Sequence, residues 1–210
     1  MINITNEDNM DLMSIYEDNY FDLAIVDPPY CIKDKISKGS GMMKKYVSKT
    51  NKIDWDNNPP TKEYFNELFR VSKNQIIWGG NYFINNLKNT SCFVVWDKQN
   101  GTNNMADCEL AWTSFKSSVR MYRGHIFKGI GCTNYKPIHP TQKPVKLYEF
   151  LLMTYAKEGD KILDTHLGSG SIAIACHNLG YNLTACELDK EYYEAAMKRI
   201  KEHQSQLRLI

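Results

Sequence analysis

The chain lacks an apolar run of the roughly 18 residues that a membrane-spanning helix needs. None of its 6 cysteines forms a C-x-x-C pair, so we expect neither a disulfide framework nor a metal site. Residues 1–30 contain no Lys or Arg, and this acidic start is unlike the basic start of a secretion signal. Together these absences predict a soluble, cytoplasmic protein with no membrane contact and no metal.

Internal repeats and low-complexity tracts are also absent, and 210 residues with 42% apolar residues are typical of one globular domain. We therefore expect a single domain over residues 1–210. The formal net charge is only +2, but residues 31–52 carry seven lysines against one acid, Asp34. We predict a mobile basic loop over residues 31–58 that contacts a polyanion. A solvated surface loop without a partner is the alternative.

Strand and helix patterns alternate along the chain, which indicates an α/β protein with a mostly parallel sheet. The predicted strands are Ile2–Ile4, Phe21–Val26, Gln75–Trp78, Ser91–Trp96, Cys108–Phe115, Lys161–Leu163 and Leu183–Cys186, and Val119–Arg123 is compatible with another. The predicted helices are Asp8–Tyr16, a segment capped by Thr61 and ending at Arg70, Pro144–Ala156, Ser171–Leu179, and a final helix that ends near Gln204.

Asp27-Pro28-Pro29-Tyr30 directly follows the apolar run Leu23–Val26. Proline has a fixed φ and no N–H, so the Pro28 carbonyl points outward without a competing donor. The Asp27 carboxylate and this carbonyl can accept both hydrogens of an exocyclic amino group, and Tyr30 can stack on the ring that carries it. The motif predicts a site for the amino edge of a nucleobase. An ordinary strand-to-loop turn is the alternative, because it uses the same residue types.

A second motif runs from Asp164 to Glu187 as a strand, a glycine loop, a helix and another strand. Gly168 and Gly170 permit a tight turn and a close approach of a ligand to the helix N-terminus. Glu187 is placed to bind both hydroxyls of a ribose. Asp164 would repel a pyrophosphate but can pair with an amino group, so the pattern favours S-adenosylmethionine over NAD. A glycine turn without a function is a third interpretation.

Three motifs, in this order, resemble those of the β-class amino DNA methyltransferases: Asp27–Tyr30, His139-Pro140-Thr141-Gln142-Lys143-Pro144, and Gly168-Ser169-Gly170. In that class the catalytic motif precedes the cofactor motif. The runs Trp78–Phe83 and Asp160–Ser171 resemble the small phage and prophage members in particular. The resemblance implies a Rossmann-like S-adenosylmethionine-dependent methyltransferase fold. Its sheet would be mostly parallel, seven-stranded and circularly permuted, with Ile2–Ile4 beside Leu183–Cys186.

The resemblance also implies functional residues. The predicted catalytic residues are Asp27, Pro28, Pro29 and Tyr30. The predicted cofactor-binding residues are Asp8, Asp27, Thr141, Lys143, Asp164, His166, Gly168, Ser169, Gly170 and Glu187, with Asp8 near the adenine of the cofactor. The family loop usually reads Asp-Pro-Phe, and here Thr165 and His166 replace Pro and Phe, which puts the apolar contact of that loop in question.

The predicted reaction is methyl transfer from S-adenosylmethionine to the amino nitrogen of a flipped base in duplex DNA. Asp rather than Ser before Pro-Pro favours N6 of adenine over N4 of cytosine, which is what the family tendency implies. The alternatives are N4-cytosine methylation, adenine methylation in RNA, a non-catalytic nucleic-acid-binding subunit and, least supported, a nicotinamide oxidoreductase. The resemblance implies a bacterial or phage-infected host cell.

The predicted DNA-binding residues are Lys33, Lys35, Lys38, Lys44, Lys45, Arg120 and Arg123. The class carries its target-recognition insert after the Cys108–Phe115 strand, where only residues 116–138 are available. A single recognition module buries about 600–1,000 Å² of surface, and so short an insert has too few residues to provide this area easily by itself. We therefore expect a short or relaxed recognition site, or a homodimer in which residues 31–58 of a second protomer help.

Overall fold

The structure is a computed structural model that describes residues 1–31, 59–100, 106–124, 137–139 and 141–206. The predicted basic loop lies almost entirely outside these ranges, and so do its five named lysines. Much of the predicted recognition insert and Pro140 of the third motif also lie outside them.

Eight strands of the described residues form one sheet. They are β1 Ile2–Thr5, β2 Phe21–Val26, β3 Ser72–Trp78, β4 Phe93–Asp97, β5 Cys108–Thr113, β6 Arg120–Arg123, β7 Lys161–Asp164 and β8 Asn182–Cys186. The strand order is β1-β8-β7-β2-β3-β5-β4-β6. Among these neighbours only β3–β5 and β4–β5 are antiparallel. The mostly parallel sheet and the pairing of β1 with β8 confirm the predicted permuted fold.

The count of strands differs from the prediction by one. The resemblance implies seven strands, and the structure has eight because β6 pairs with β4 at the edge of the sheet. The run Val119–Arg123 carries the β-branched and aromatic residues that suit such an edge position.

Five α-helices lie in the described part of the chain: α1 Asn9–Ser14, α2 Lys62–Val71, α3 Val145–Tyr155, α4 Ser171–Leu179 and α5 Lys190–Gln204. Thr61 caps α2 as predicted, because its hydroxyl accepts the Tyr64 N–H. Asp8 and Pro144, which the sequence places inside helices, have extended backbone and stand just before α1 and α3. None of the described helices is long and apolar enough to cross a membrane.

Helices cover both faces of the sheet. Leu23 and Ile25 of β2 pack in one apolar cluster with residues of α3, α4 and α5. Ala24 and Val26 point the other way and pack with residues of α1 and α2. The strand is therefore buried on both sides, which explains its unbroken apolar sequence.

The carboxyl edge of the sheet collects the predicted motifs. β2, β7 and β8 run parallel and end at this edge. Asp27 follows β2, Asp164 ends β7 and Glu187 follows β8. Residues that are far apart in the sequence are thereby brought to one side of the molecule.

Candidate active site

A cavity of about 550 Å³ opens at the carboxyl edge of the sheet. Asp27 and Pro29 of the catalytic motif line it, together with Gly168, Ser169 and Glu187 of the cofactor motif. The two predicted half-sites therefore share one space. Such an arrangement can hold two reactants in contact, which is the main requirement of a group-transfer reaction.

Glu187 is fixed by the glycine loop. Its Oε2 accepts the Gly168 N–H at 2.8 Å, and its Oε1 accepts the Asp189 N–H at 3.0 Å. Burial raises the pKa of this carboxyl, and the two backbone N–H groups only partly oppose that effect. Gly168 has a φ of +54°, a backbone conformation that glycine adopts at no steric cost.

Asp164 is 2% exposed and does not itself line the cavity, although the next residue, Thr165, does. Its Oδ1 accepts the His166 N–H at 3.0 Å. Burial raises the pKa of Asp164 to about 8, against the opposing effect of that N–H. The raised pKa favours the protonated form of the acid when no cation is near it.

His166 lines the cavity where the family usually has Phe. Its Nε2 lies 3.2 Å from Asn9 Nδ2, and its Nδ1 lies 2.9 Å from Thr165 Oγ1. Burial lowers the pKa of His166 to about 4, so the imidazole is neutral at pH 7. The substitution replaces an apolar wall with a hydrogen-bonded one.

Asp8 and Thr141 also line the cavity. Asp8 caps α1, because its Oδ1 accepts the Met10 N–H at 2.7 Å. Thr141 Oγ1 lies 3.0 Å from His139 Nδ1, and the His139 ring packs edge-on against Tyr192 at a centroid separation of 4.5 Å. Tyr192 lines the cavity as well, although its sequence context indicates an ordinary amphipathic helix position.

Both carboxylate oxygens of Asp27 are engaged. Oδ1 accepts a hydrogen bond from the Tyr30 hydroxyl, and Oδ2 lies 2.5 Å from Lys143 Nζ. Lys143 lines the cavity, as its predicted cofactor role requires, and its ammonium group contacts Asp27. Burial alone would lower the pKa of Lys143, but Asp27 and Glu109 raise it, so the group stays charged.

Tyr30 is enclosed by the Trp78–Phe83 segment. Gly79 has a φ of +68°, and a Cβ added there would lie 2.2 Å from Tyr30 Cε1. Tyr82 stacks on Tyr30 with ring centroids 5.0 Å apart and an interplanar angle of 13°. Tyr82 is 47% exposed. This large exposed ring therefore covers part of Tyr30, a contact that the sequence did not predict, and neither ring lines the cavity.

The sequence does not predict that two further charged residues, Glu109 and Lys98, lie at this site. Lys143 Nζ lies 3.1 Å from Glu109 Oε2, and Lys98 Nζ lies 2.6 Å from Glu109 Oε1. Burial alone would raise the pKa of Glu109, but the two ammonium groups lower it. The only sequence signal is an acid at the start of an apolar strand, and that signal does not name its partners.

The described part of the predicted DNA-binding set consists of Arg120 and Arg123, both exposed on the edge strand β6. β3 and β4 are both antiparallel to β5, so they run in the same direction, and β6 is parallel to β4. Arg123, the last residue of β6, therefore stands at the edge of the sheet that carries Asp27. Arg120 stands at the opposite end of the strand. Within the described ranges, no group of three or more His, Cys, Asp and Glu side chains is arranged to hold a metal ion.

A family model described as DNA methylase, covering N6 and N4 methyltransferases, matches residues 85–198, which is more than half of the chain. The chain belongs to the N6/N4 DNA methylase family. It is 28% identical over 152 residues to the type II methyltransferase M2.DpnII of Streptococcus pneumoniae, an alignment that covers 72% of this chain and 50% of the relative. The chain thus spans about half the length of that relative. It is 25% identical to M2.MboI of Moraxella bovis, covering 95% of this chain and 88% of the relative.

Solved structures agree on the fold. The complex of M1.HpyAVI with SAM has a TM-score of 0.59 at 22% identity, with 95% of this chain and all of that chain covered. TTHA0409 of Thermus thermophilus, a DNA modification methylase described as putative and complexed with S-adenosylmethionine, has a TM-score of 0.62 at 15% identity, with 99% and 96% covered. These similarities confirm the Rossmann-like methyltransferase fold of this family member.

Proposed function

We propose that this protein transfers a methyl group from S-adenosylmethionine to the exocyclic amino nitrogen of a flipped base in duplex DNA, with N6 of adenine as the preferred target. The observation that carries the proposal is the shared cavity, in which Asp27 and the glycine loop face the same space. Membership of the N6/N4 DNA methylase family supports it. Two of the similar structures hold S-adenosylmethionine, which supports the choice of cofactor.

The charges of the site fit this cofactor. The hydrogen bonds that Asp164 and Glu187 accept from other described residues come from backbone N–H groups, so no described ammonium or guanidinium group neutralises them at hydrogen-bond distance. A buried acid with a raised pKa gains from a cationic ligand. When bound, S-adenosylmethionine supplies an electrophilic methyl group on a positively charged sulfur.

In this proposal each end of the cofactor has its own partners. Glu187 accepts hydrogen bonds from the ribose hydroxyls. Asp164, which precedes the lining residue Thr165, attracts the amino group electrostatically from behind the cavity wall. Gly168, Ser169 and Gly170 form the backbone cradle between them. The other proposed contacts are Asp8, Thr141, Lys143 and His166, all of which line the cavity.

Asp27 prepares the amino nitrogen for attack. That nitrogen is a poor nucleophile because its lone pair is delocalised into the base. Hydrogen bonds from its two hydrogens to the Asp27 carboxylate and the Pro28 carbonyl favour a pyramidal nitrogen with a localised lone pair. The nitrogen becomes positively charged as it takes the methyl group and the methyl–sulfur bond breaks. The fixed negative charge of Asp27 stabilises this charge until the nitrogen loses one of its hydrogens to solvent as a proton.

The base must leave the duplex to reach Asp27, at a cost of a few kcal/mol. Stacking on Tyr30 returns about 1–3 kcal/mol of this. Since Tyr82 already lies against the Tyr30 ring, we propose that the base displaces Tyr82 to stack on Tyr30.

The remaining proposals concern the partner and the assembly. Residues 1–210 would act as one catalytic domain in the cytoplasm of a bacterial or phage-infected cell. Arg120, Arg123 and the five lysines named above would bind DNA phosphates. A homodimer on DNA would compensate for the short segment 116–138, and sedimentation with and without DNA tests this.

The test of function uses the full chain and tritiated S-adenosylmethionine with three substrates: unmodified duplex DNA, single-stranded DNA and transcript RNA. We expect label in duplex DNA, and nuclease digestion followed by mass spectrometry should give N6-methyladenine. Sequencing with modification-sensitive reads then gives the site. Label confined to RNA, or absence of cofactor binding by calorimetry, would contradict the proposal.

N4-cytosine methylation is the second candidate. One similar structure is the cytosine-N4-specific PvuII methyltransferase, with a TM-score of 0.64 at 12% identity. That similarity concerns the fold and leaves the target base open. The same mass-spectrometric digest distinguishes N4-methylcytosine from N6-methyladenine.

A further inference from the structure

Four charged side chains form a continuous buried chain beside the cavity. Lys98 Nζ lies 2.6 Å from Glu109 Oε1, Glu109 Oε2 lies 3.1 Å from Lys143 Nζ, and Lys143 Nζ lies 2.5 Å from Asp27 Oδ2. The side chains of Lys98 and Lys143 are 8% and 2% exposed, and that of Glu109 is 21% exposed. The negative charges of Asp27 and Glu109 balance the positive charges of Lys98 and Lys143, so this group of four side chains is neutral.

The direction of β5 brings Glu109 to this place. β5 is antiparallel to β3 and β4, so its first residues lie at the edge where those strands end. Glu109 pairs in register with Trp96, and Lys98 follows β4 directly. Lys143 enters from the segment before α3, and Asp27 enters from the end of β2.

The proposed function raises a difficulty that this chain of charges resolves. Asp27 must accept a hydrogen from the substrate amino group. Each of its oxygens already accepts one hydrogen bond, from Tyr30 or from the Lys143 ammonium, so the amino group competes with a charged donor for Oδ2. Lys143 is buried and cannot turn to water. Glu109 Oε2 lies 3.1 Å from the same ammonium group, so Lys143 has a second acidic partner within reach.

We propose that Glu109 is a positioning residue that takes over the Lys143 hydrogen bond when the base enters, and so frees Asp27 Oδ2 for the amino group. A turn of the ammonium group about the last bonds of the Lys143 side chain exchanges one acceptor for the other. Lys98 contacts the other carboxylate oxygen of Glu109, Oε1, and takes no part in the exchange. No proton moves and no charge is created, because Lys143 keeps its three hydrogens throughout.

The inference rests on the proposed function, and it differs from a purely structural role for the same residues. A structural network weakens wherever it is cut, so removal of Glu109 or of Lys98 should have similar effects. The proposed transfer of the Lys143 hydrogen bond from Asp27 to Glu109 predicts different effects for the two removals. Without the charge of Glu109, Lys143 remains on Asp27. Without Lys98, Glu109 attracts Lys143 more strongly and Asp27 is released at least as easily.

The test compares Glu109→Gln with Lys98→Met, both close in size to the native residues. Single-turnover methyl transfer to duplex DNA is measured with saturating cofactor, alongside calorimetric binding of S-adenosylmethionine and thermal melting. We expect Glu109→Gln to lower the rate about 10- to 100-fold, the range for loss of a charged hydrogen-bond partner. Cofactor affinity should stay within about twofold of wild type, since the loss lies in the transfer step. Lys98→Met should keep its rate within about threefold.

Equal losses in the two variants, or a Glu109→Gln rate equal to that of wild type, would overturn the inference while the proposed function stands. An inactive wild type would instead overturn the proposed function and this inference together. Should Glu109→Gln not fold, Glu109→Asp replaces it, because it keeps the charge but withdraws it from Lys143 by one methylene. A rate loss in that variant with unchanged cofactor binding supports the exchange, and a wild-type rate opposes it.

Discussion

The two ends of the cavity handle buried charge in opposite ways. At the catalytic end each acid has an ammonium partner, and the pKa of Glu109 is lowered despite its burial. At the cofactor end the acids accept only backbone N–H groups from the described residues, and burial raises the pKa of both Asp164 and Glu187. The catalytic end is therefore already neutralised, whereas the cofactor end gains stability when a cation arrives.

This contrast has a chemical consequence. A neutralised Asp27 network can accept a neutral amino group and stabilise the positive charge that develops on it. In the proposed function, the acids that accept only backbone N–H groups from the described residues favour a ligand that is positively charged from the start. Substitutions should therefore affect the rate at one end and the affinity for the cofactor at the other.

The largest effect is expected for Asp27→Asn, which keeps the size of the side chain and removes its charge. We expect kcat to fall about 100- to 1,000-fold, as for loss of one preorganised electrostatic partner in other enzymes. Cofactor affinity measured by calorimetry should change little. Asp11→Asn, at an exposed position on α1, is the control. An Asp27→Asn enzyme with a wild-type rate would contradict the role of the carboxylate.

Asp164 gives a pH dependence of stability. In the unfolded chain its pKa is near 3.8, and in the folded chain it is about 8, so the folded state holds the proton over a wider range. Stability should therefore fall as the pH rises from about 4 to 8 and level off above 8, with a slope of up to about 1.4 kcal/mol per pH unit.

The measurement for Asp164 is denaturant unfolding at several pH values for wild type and Asp164→Asn. The slope of wild type relative to the variant isolates this one group. Addition of S-adenosylmethionine to wild type should flatten the slope, because a nearby ammonium lowers the pKa of the acid. Parallel curves for the two proteins would show that Asp164 is not the group responsible.

Glu187→Gln should separate affinity from rate at the cofactor end. The new amide must set an N–H against the backbone N–H of Gly168 or Asp189, both of which now donate to the carboxylate. We expect the Kd for S-adenosylmethionine to rise about 10- to 100-fold, with kcat nearly unchanged at saturating cofactor. Glu194→Gln, at an exposed position of α5, is the matched control. A fall in kcat that exceeds the loss of affinity would contradict the proposal that this end of the cavity controls cofactor affinity and not the rate.

Gly79→Ala tests the packing of the catalytic end, with Gly180→Ala as its control. Both glycines have positive φ, +68° and +79°, so both variants bear the cost of a left-handed alanine. Only at Gly79 would the new Cβ collide with Tyr30, because nothing lies within 4 Å of a Cβ at Gly180. We expect Gly79→Ala to lose roughly 1–3 kcal/mol more of unfolding free energy and to lose activity. Equal unfolding free energies would contradict the collision.

The smallest effect is expected at the edge strand. Arg123 stands on the same side as Asp27 and Arg120 on the opposite side, so the two arginines form a matched pair. Arg123→Gln should weaken DNA binding only about threefold and reduce the salt slope by about one, and Arg120→Gln should change less. Titrations at several salt concentrations measure both. A larger effect of Arg120→Gln than of Arg123→Gln would indicate that DNA binds at the opposite edge of the sheet.

Much of the cofactor end could be predicted from the sequence because its contacts are local. Gly168, Ser169 and Glu187 belong to one strand–loop–helix–strand unit, and α4 begins and ends at the residues expected, Ser171 and Leu179. The cap of α2 at Thr61 is equally local, since it depends on the Tyr64 N–H three residues later. The core positions of Trp78, Trp96 and Trp112 follow from their apolar strands.

The rest could not be predicted because it depends on contacts between distant segments. Tyr82 lies against Tyr30, and Tyr192 lies against His139, because the fold brings together segments that are far apart in the sequence. The sequence marks Val119–Arg123 as compatible with a strand, but its pairing depends on the open edge of β4.

The sequence by itself determined the parallel strands, the glycine loop and the presence of an acid after β2, because apolar runs, glycines and prolines restrict the backbone where they stand. Only the tertiary structure decided that Lys98, Glu109, Lys143 and Asp27 form one chain of charges. Charged side chains act over a few ångströms, and strand order and strand direction alone bring these four within that distance.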